Sequence, residues 1–124
     1  MPSITPSYNN AIDAQDRSVL NPTWILTTAN ADGLPMSAPS FLDMTWQATG
    51  TFGGATASLE GSNDGANWFP LTKLFTTTAA TFTAAGGCAT NENPLFVRPN
   101  LSAVGAGATI TVSLVAIRPT PVRT

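Results

Sequence analysis

Apolar and polar residues alternate with a period of two in several short runs along the chain, the spacing of strands with one buried and one wet face. Leu42, Met44 and Trp46 alternate with Asp43, Thr45 and Gln47, and Ala55, Ala57 and Leu59 alternate with Thr56, Ser58 and Glu60. The longest such run is Thr109 to Ile117. Trp24-Ile25-Leu26-Thr27-Thr28-Ala29 has the β-branched and aromatic enrichment of a strand. It is expected to stop at Asn30-Ala31-Asp32-Gly33, with Gly33 at positive φ. Leu34 to Ser40 contains Pro35 and Pro39 and is expected to connect rather than pair. Leu95-Phe96-Val97-Arg98 reads as a strand cut by Pro99, and Thr76 to Thr83 as a Thr-rich strand around Phe82.

Turn signals separate these runs. Gly50-Thr51-Phe52-Gly53-Gly54 is one, Gly86-Gly87 another, and the Asp64-Gly65 pair inside Gly61 to Trp68 is the strongest, predicting a hairpin. Pro70 puts the outgoing stretch at a sheet edge or a bulge. About seven to eight short strands with turns at roughly 8 to 12 residue intervals predict an all-β fold, an antiparallel β-sandwich or jelly roll, over residues 23–124. Residues 1–22 read as an extended N-terminal arm, since Pro2, Pro6 and Pro22 hold their predecessors extended. Ile4, Tyr8, Ile12, Val19 and Leu20 are apolar there without forming a clean face, so the arm is expected to lie on a partner surface.

Composition narrows the chemistry. Charged residues make up 10% of the chain against about 25% in ordinary domains, and the net charge is -2 with five scattered basic residues. No basic stripe is available to follow a phosphate backbone, so nucleic acid is not an expected partner. There is no histidine, which removes the usual general base and the usual zinc ligand together; the expectation is a protein that is not an enzyme and holds no cofactor and no metal. No apolar run approaches the roughly 18 residues of a membrane span, and Met1 to Pro6 has no basic-then-apolar leader pattern. Synthesis in the cytoplasm, with no membrane partner, is therefore expected. The single cysteine, Cys88, sits among small neutral residues and reads as structural.

Two features could carry ligand chemistry. Asn63-Asp64-Gly65 has the oxygen-rich look of a calcium loop, but lacks further spaced acidic ligands and reads as an Asx-stabilised turn. Trp24, Trp46 and Trp68 could stack on sugar rings; Trp46 lies in phase with Leu42 and Met44 and belongs to the core. Trp68 with Asn63, Asp64 and Asn67 is left as the candidate glycan contact.

The stretch Gly50-Thr51-Phe52-Gly53-Gly54-Ala55-Thr56 through Leu59-Glu60-Gly61-Ser62-Asn63-Asp64-Gly65-Ala66-Asn67-Trp68, followed by Phe96-Val97-Arg98-Pro99, resembles small virion decoration or cement proteins of tailed bacteriophages. The resemblance covers roughly residues 42–118. The Ser-Asn-Asp-Gly-x-Asn-Trp hairpin is also similar to one in discoidin-type and other carbohydrate-associated sandwiches. The first resemblance implies a structural protein on the outer capsid surface of a virion, with the major capsid protein and further copies of itself, as dimer or trimer, for partners. Ile4, Tyr8, Ile12 and Leu20 are then the expected contact groups, with Arg17 and Arg123 as charge partners for an acidic lattice. A tail, collar or fibre-associated component and a carbohydrate-binding module are the alternatives.

Overall fold

The computed structural model describes residues 3–8, 19–37, 42–102 and 107–117. Among them no helix forms, and the chain folds as two sheets packed face to face. Strands follow in the order β1 (Ser3–Ile4), β2 (Ser7–Tyr8), β3 (Val19–Leu20), β4 (Pro22–Thr27), β5 (Asp32–Gly33), β6 (Met36–Ser37), β7 (Leu42–Thr51), β8 (Thr56–Ser62), β9 (Phe69–Pro70), β10 (Thr81–Phe82), β11 (Gly86–Ala89), β12 (Phe96–Ser102) and β13 (Thr109–Ile117). One sheet has seven strands along the path β1-β5-β12-β8-β10, with β6 added to β12 and β9 to β8. The other has six along β11-β7-β13-β4-β2, with β3 added to β13. Pairing is antiparallel apart from the short parallel contact of β1 with β5. The expected β-sandwich is what forms.

The period-two pattern explains the core. Trp24 and Leu26 of β4, Met44, Trp46 and Ala48 of β7, and Ile110, Val112, Leu114 and Ala116 of β13 all turn inward and are fully buried. They meet Ala57 and Leu59 of β8 and Val97 and Leu101 of β12 from the opposite sheet. Trp24 and Trp46 stack with centroids 6.1 Å apart, flanking the central strand β13, whose Val112 is opposite Trp24 and whose Leu114 is opposite Trp46. Each indole N–H is satisfied: Trp24 donates to the Leu34 carbonyl at 3.0 Å and Trp46 to the buried Thr90 hydroxyl at 3.2 Å. Neither ring is open to a sugar.

Five local expectations change. Gly86-Gly87 is not a turn but opens β11, pairing with Ala48 and Gln47 of β7. Pro99 does not end a strand. It lies inside β12, which pairs with β8 from Phe96 to Ser102, at the point where the second neighbour of β12 switches from β6 to β5. Gly33 belongs to β5 rather than to a left-handed turn; glycine is needed because a Cβ there would sit 2.5 Å from the Pro99 carbonyl oxygen. Within Leu34 to Ser40, Met36 and Ser37 do pair, as β6. Between Thr76 and Thr83 only Thr81–Phe82 is strand.

The N-terminal segment is also stitched to the body. β1 joins one sheet and β2 the other, and β3 pairs with the end of β13. Ile4 and Leu20 pack, partly buried, against this chain's own core. Part of the surface of these two expected contact residues is thus taken up by the chain's own core. Tyr8 takes its place in β2, antiparallel to Pro22. Ile12, Arg17 and Arg123 lie outside the described residues.

Candidate assembly surface

On the outer side of the seven-stranded sheet, the hairpin between β8 and β9 is closed by its own side chains. The Asp64 carboxylate accepts from the Ala66 and Asn67 amides at 2.8 Å, from the Asn67 side-chain amide at 2.8 Å, and from the Ser62 hydroxyl at 2.9 Å. These donors, led by the Asn67 backbone N–H, hold its pKa well below the usual carboxylate range. The contribution of that charge to stability is thus present above the unfolded pKa of about 3.9 and is lost only as the pH falls through the lowered folded value. Asn63 points elsewhere, accepting the Leu95 amide at 3.2 Å. The Arg98 guanidinium lies 4.0 Å from the centroid of the Trp68 ring, while its Nε donates to Glu60 at 2.9 Å. Asn100 donates to the same Glu60 oxygen at 2.7 Å. The four residues singled out for a glycan are thus brought to one end of the sheet, but Asp64 and Asn67 bond within the loop, Asn63 holds Leu95, and one face of Trp68 is taken by Arg98. Among the described residues no group of three or more acidic or thiol side chains gathers where a metal could bind.

A second loop, between β9 and β10, is built around Asn91. Its side-chain carbonyl accepts the Phe75 amide at 2.8 Å, and its NH2 donates to the Thr72 hydroxyl at 2.7 Å and to the Lys73 and Thr76 carbonyls at 2.9 Å. Glu92 braces the base, accepting from the Thr72 amide at 2.8 Å and hydroxyl at 2.6 Å. The result is a firm turn that presents Phe75 at 93% exposure with φ of +62°. Sequence reasoning missed this residue. Asn91→Ala removes all four bonds at once and is expected to raise the rate of chymotryptic cleavage after Phe75 about tenfold, a change of about 1.4 kcal/mol in local opening. An unchanged cleavage rate would mean that Asn91 does not organise the turn.

The outer face of the six-stranded sheet has a different chemistry. Its rows across β7, β13 and β4 are Gln47-Ser113-Thr23, Thr49-Thr111-Ile25 and Thr51-Thr109-Thr27, and Ala89, Thr45 and Val115 form another across β11, β7 and β13. The charged residue that these strands expose is Asp43, at the start of β7. Ile25, Val115 and Ile117 on this face are 51%, 38% and 42% exposed, three of the seven exposed large hydrophobic residues among those described. Asp32, Glu60 and Arg98, by contrast, sit on the opposite sheet. At the edge of the uncharged face, Thr45 and Ala89 are shared by two depressions, one of about 660 Å³ along β11 and one of about 280 Å³ beside Leu74. Cys88 lines the larger; burial pushes its thiol pKa up, and Lys73, whose backbone pairs with Thr90, partly offsets the shift. No helix among the described residues is long and apolar enough to cross a membrane.

No protein-family model, curated protein or solved structure matches this chain.

Proposed function

We propose that this chain is a structural virion protein that binds the outer surface of a tailed-phage capsid lattice and stabilises it. The observation that carries this reading is the outer face of the six-stranded sheet, four strands wide, whose rows among the described residues hold no charged side chain. Such a face can be covered by a protein surface without stranding charges away from water, a penalty that charged surfaces pay on association. At about 4.8 Å per strand and 3.3 Å per residue it spans roughly 20 by 30 Å, the order of one side of a standard protein interface. Repeated contacts of this kind across a lattice add stability that no single copy supplies.

The test is occupancy on purified particles. Quantitative mass spectrometry of gradient-purified virions is expected to give copies of this chain in a simple ratio to the major capsid protein. Ile25→Lys and Thr49→Lys, each placing a charge in the middle of the face, should each cut occupancy at least tenfold while the purified variant keeps its melting temperature within a few degrees. A few to a few dozen copies per particle would move the protein to the tail or collar. Full occupancy by both lysine variants would overturn the assignment of this face.

A further inference from the structure

We infer that the rim of the six-stranded sheet is a self-docking site, at which Phe75 of one copy enters the hollow beside Leu74 of a second copy and its own hollow receives the second copy's Phe75. The inference deepens the assembly role proposed above and rests on it for its setting, but the contact is between copies of this chain and forms without a lattice.

Phe75 combines two unfavourable conditions. Its backbone adopts φ of +62°, a region that L-residues with a Cβ avoid, and its ring is 93% exposed. The hydrogen bonds of Asn91 hold it there, so the ring is pre-organised for contact rather than waiting to be ordered. One residue away, Leu74 opens a hollow of about 280 Å³, lined also by Asp43, Met44, Thr45, Ala89 and Asn91 and roomy enough for a phenyl ring. A two-fold contact needs projection and recess on the same patch, because residue i meets j while j meets i. This patch carries both.

Charge names a second copy as the occupant. The chain is acidic overall, so self-association works against a net charge of -2 unless opposite charges are placed at the contact. Lys73 stands two residues before the projecting ring and Asp43 lines the recess. Exchange of the rings about a two-fold axis brings each Lys73 toward the Asp43 of the other copy. The adjoining strip of Ala89, Thr45 and Val115 is uncharged and adds apolar surface to the contact.

Sedimentation velocity of the purified chain over a concentration series tests this directly. The wild type is expected to show a monomer–dimer equilibrium, and Phe75→Ala to weaken it at least tenfold. Lys73→Glu should weaken dimerisation too, and by a smaller factor when combined with Asp43→Asn, which removes the carboxylate it would face. Phe75→Gly keeps folding separate from docking: it relieves the left-handed strain, so it should melt at or above the wild-type temperature and still fail to dimerise. A wild type that stays monomeric to millimolar concentration, or a Phe75→Ala dimer of unchanged affinity, overturns the inference. Either result leaves the lattice proposal standing on the occupancy of Ile25→Lys and Thr49→Lys, just as lost occupancy leaves the dimer to be judged by sedimentation alone.

Discussion

Trp46→Ala is expected to cost about 3–5 kcal/mol, the range for emptying a fully buried aromatic site, and so to remove much of the roughly 5–15 kcal/mol that holds a domain of this kind together. Three things go at once. The indole is fully buried, it stacks on Trp24 at 6.1 Å, and its N–H is the donor to a Thr90 hydroxyl that is only 4% exposed. The neighbours cannot collapse into the space, because Trp46 lies on β7 between β13 and β11 and both ladders would have to shift. Trp46→Phe separates the contributions: it retains an aromatic ring but not the N–H donor, and should cost about 1–2 kcal/mol for the lost hydrogen bond and altered fit. Urea unfolding followed by circular dichroism measures both. A loss below about 1 kcal/mol for the alanine variant would contradict a core organised on the stacked pair.

The parts of this fold that could be read from sequence are those whose signal is contained in one segment. Met44 and Trp46 alternate with Thr45 and Gln47 and are buried as that alternation requires; Ile110, Val112 and Leu114 repeat the case. The Asp64-Gly65 turn is likewise local, since Ser62, Asp64 and Asn67 supply the side-chain hydrogen bonds that close it and Gly65 takes φ of +76°. Pro99 misled because the cost of a missing N–H depends on whether a neighbouring strand needs it, and that neighbour is β5 or β6, more than sixty residues earlier. The first residues gave no periodicity because they enter as two-residue strands in different sheets, so that Ile4 and Leu20 find the core from separate directions.

The candidate surface was legible in pieces only. Each strand of the six-stranded sheet shows its threonines, but that seven of them, from Thr23 to Thr111, share one uncharged face follows from the registers of β7, β13 and β4. Phe75 was hidden for a similar reason. Nothing beside Phe75 in the chain marks its ring as exposed, and the side chain that anchors its backbone is Asn91, sixteen residues further on. An apolar side chain kept in water by hydrogen bonds to its own backbone is a conflict between local and global preference, and such conflicts concentrate where a protein meets something else.

Three glycines divide the cost of a side chain into its parts, and Gly50 is expected to show the largest effect. At Gly33 the backbone is ordinary, and an added Cβ meets the Pro99 carbonyl oxygen at 2.5 Å and Cδ at 2.6 Å, so Gly33→Ala pays for crowding alone, about 1–3 kcal/mol. At Gly54 the φ of +81° strains any L-residue but nothing lies within 4 Å, so Gly54→Ala registers backbone strain alone, about 1 kcal/mol. Gly50 combines both: its φ is +118°, and a Cβ would overlap the Thr109 carbonyl oxygen in the ladder that joins β7 to β13. Gly50→Ala should therefore cost about the sum, roughly 3 kcal/mol or more, seen as a lower urea midpoint with little change in the slope of the transition. The reason lies in the position, since β13 is the strand between the two tryptophans and cannot move away from β7 without opening the core. A Gly50→Ala variant no less stable than Gly54→Ala would mean that the register of β7 on β13 at Gly50 and Ile110 is wrong, and with it the alignment of the threonine rows on the outer face.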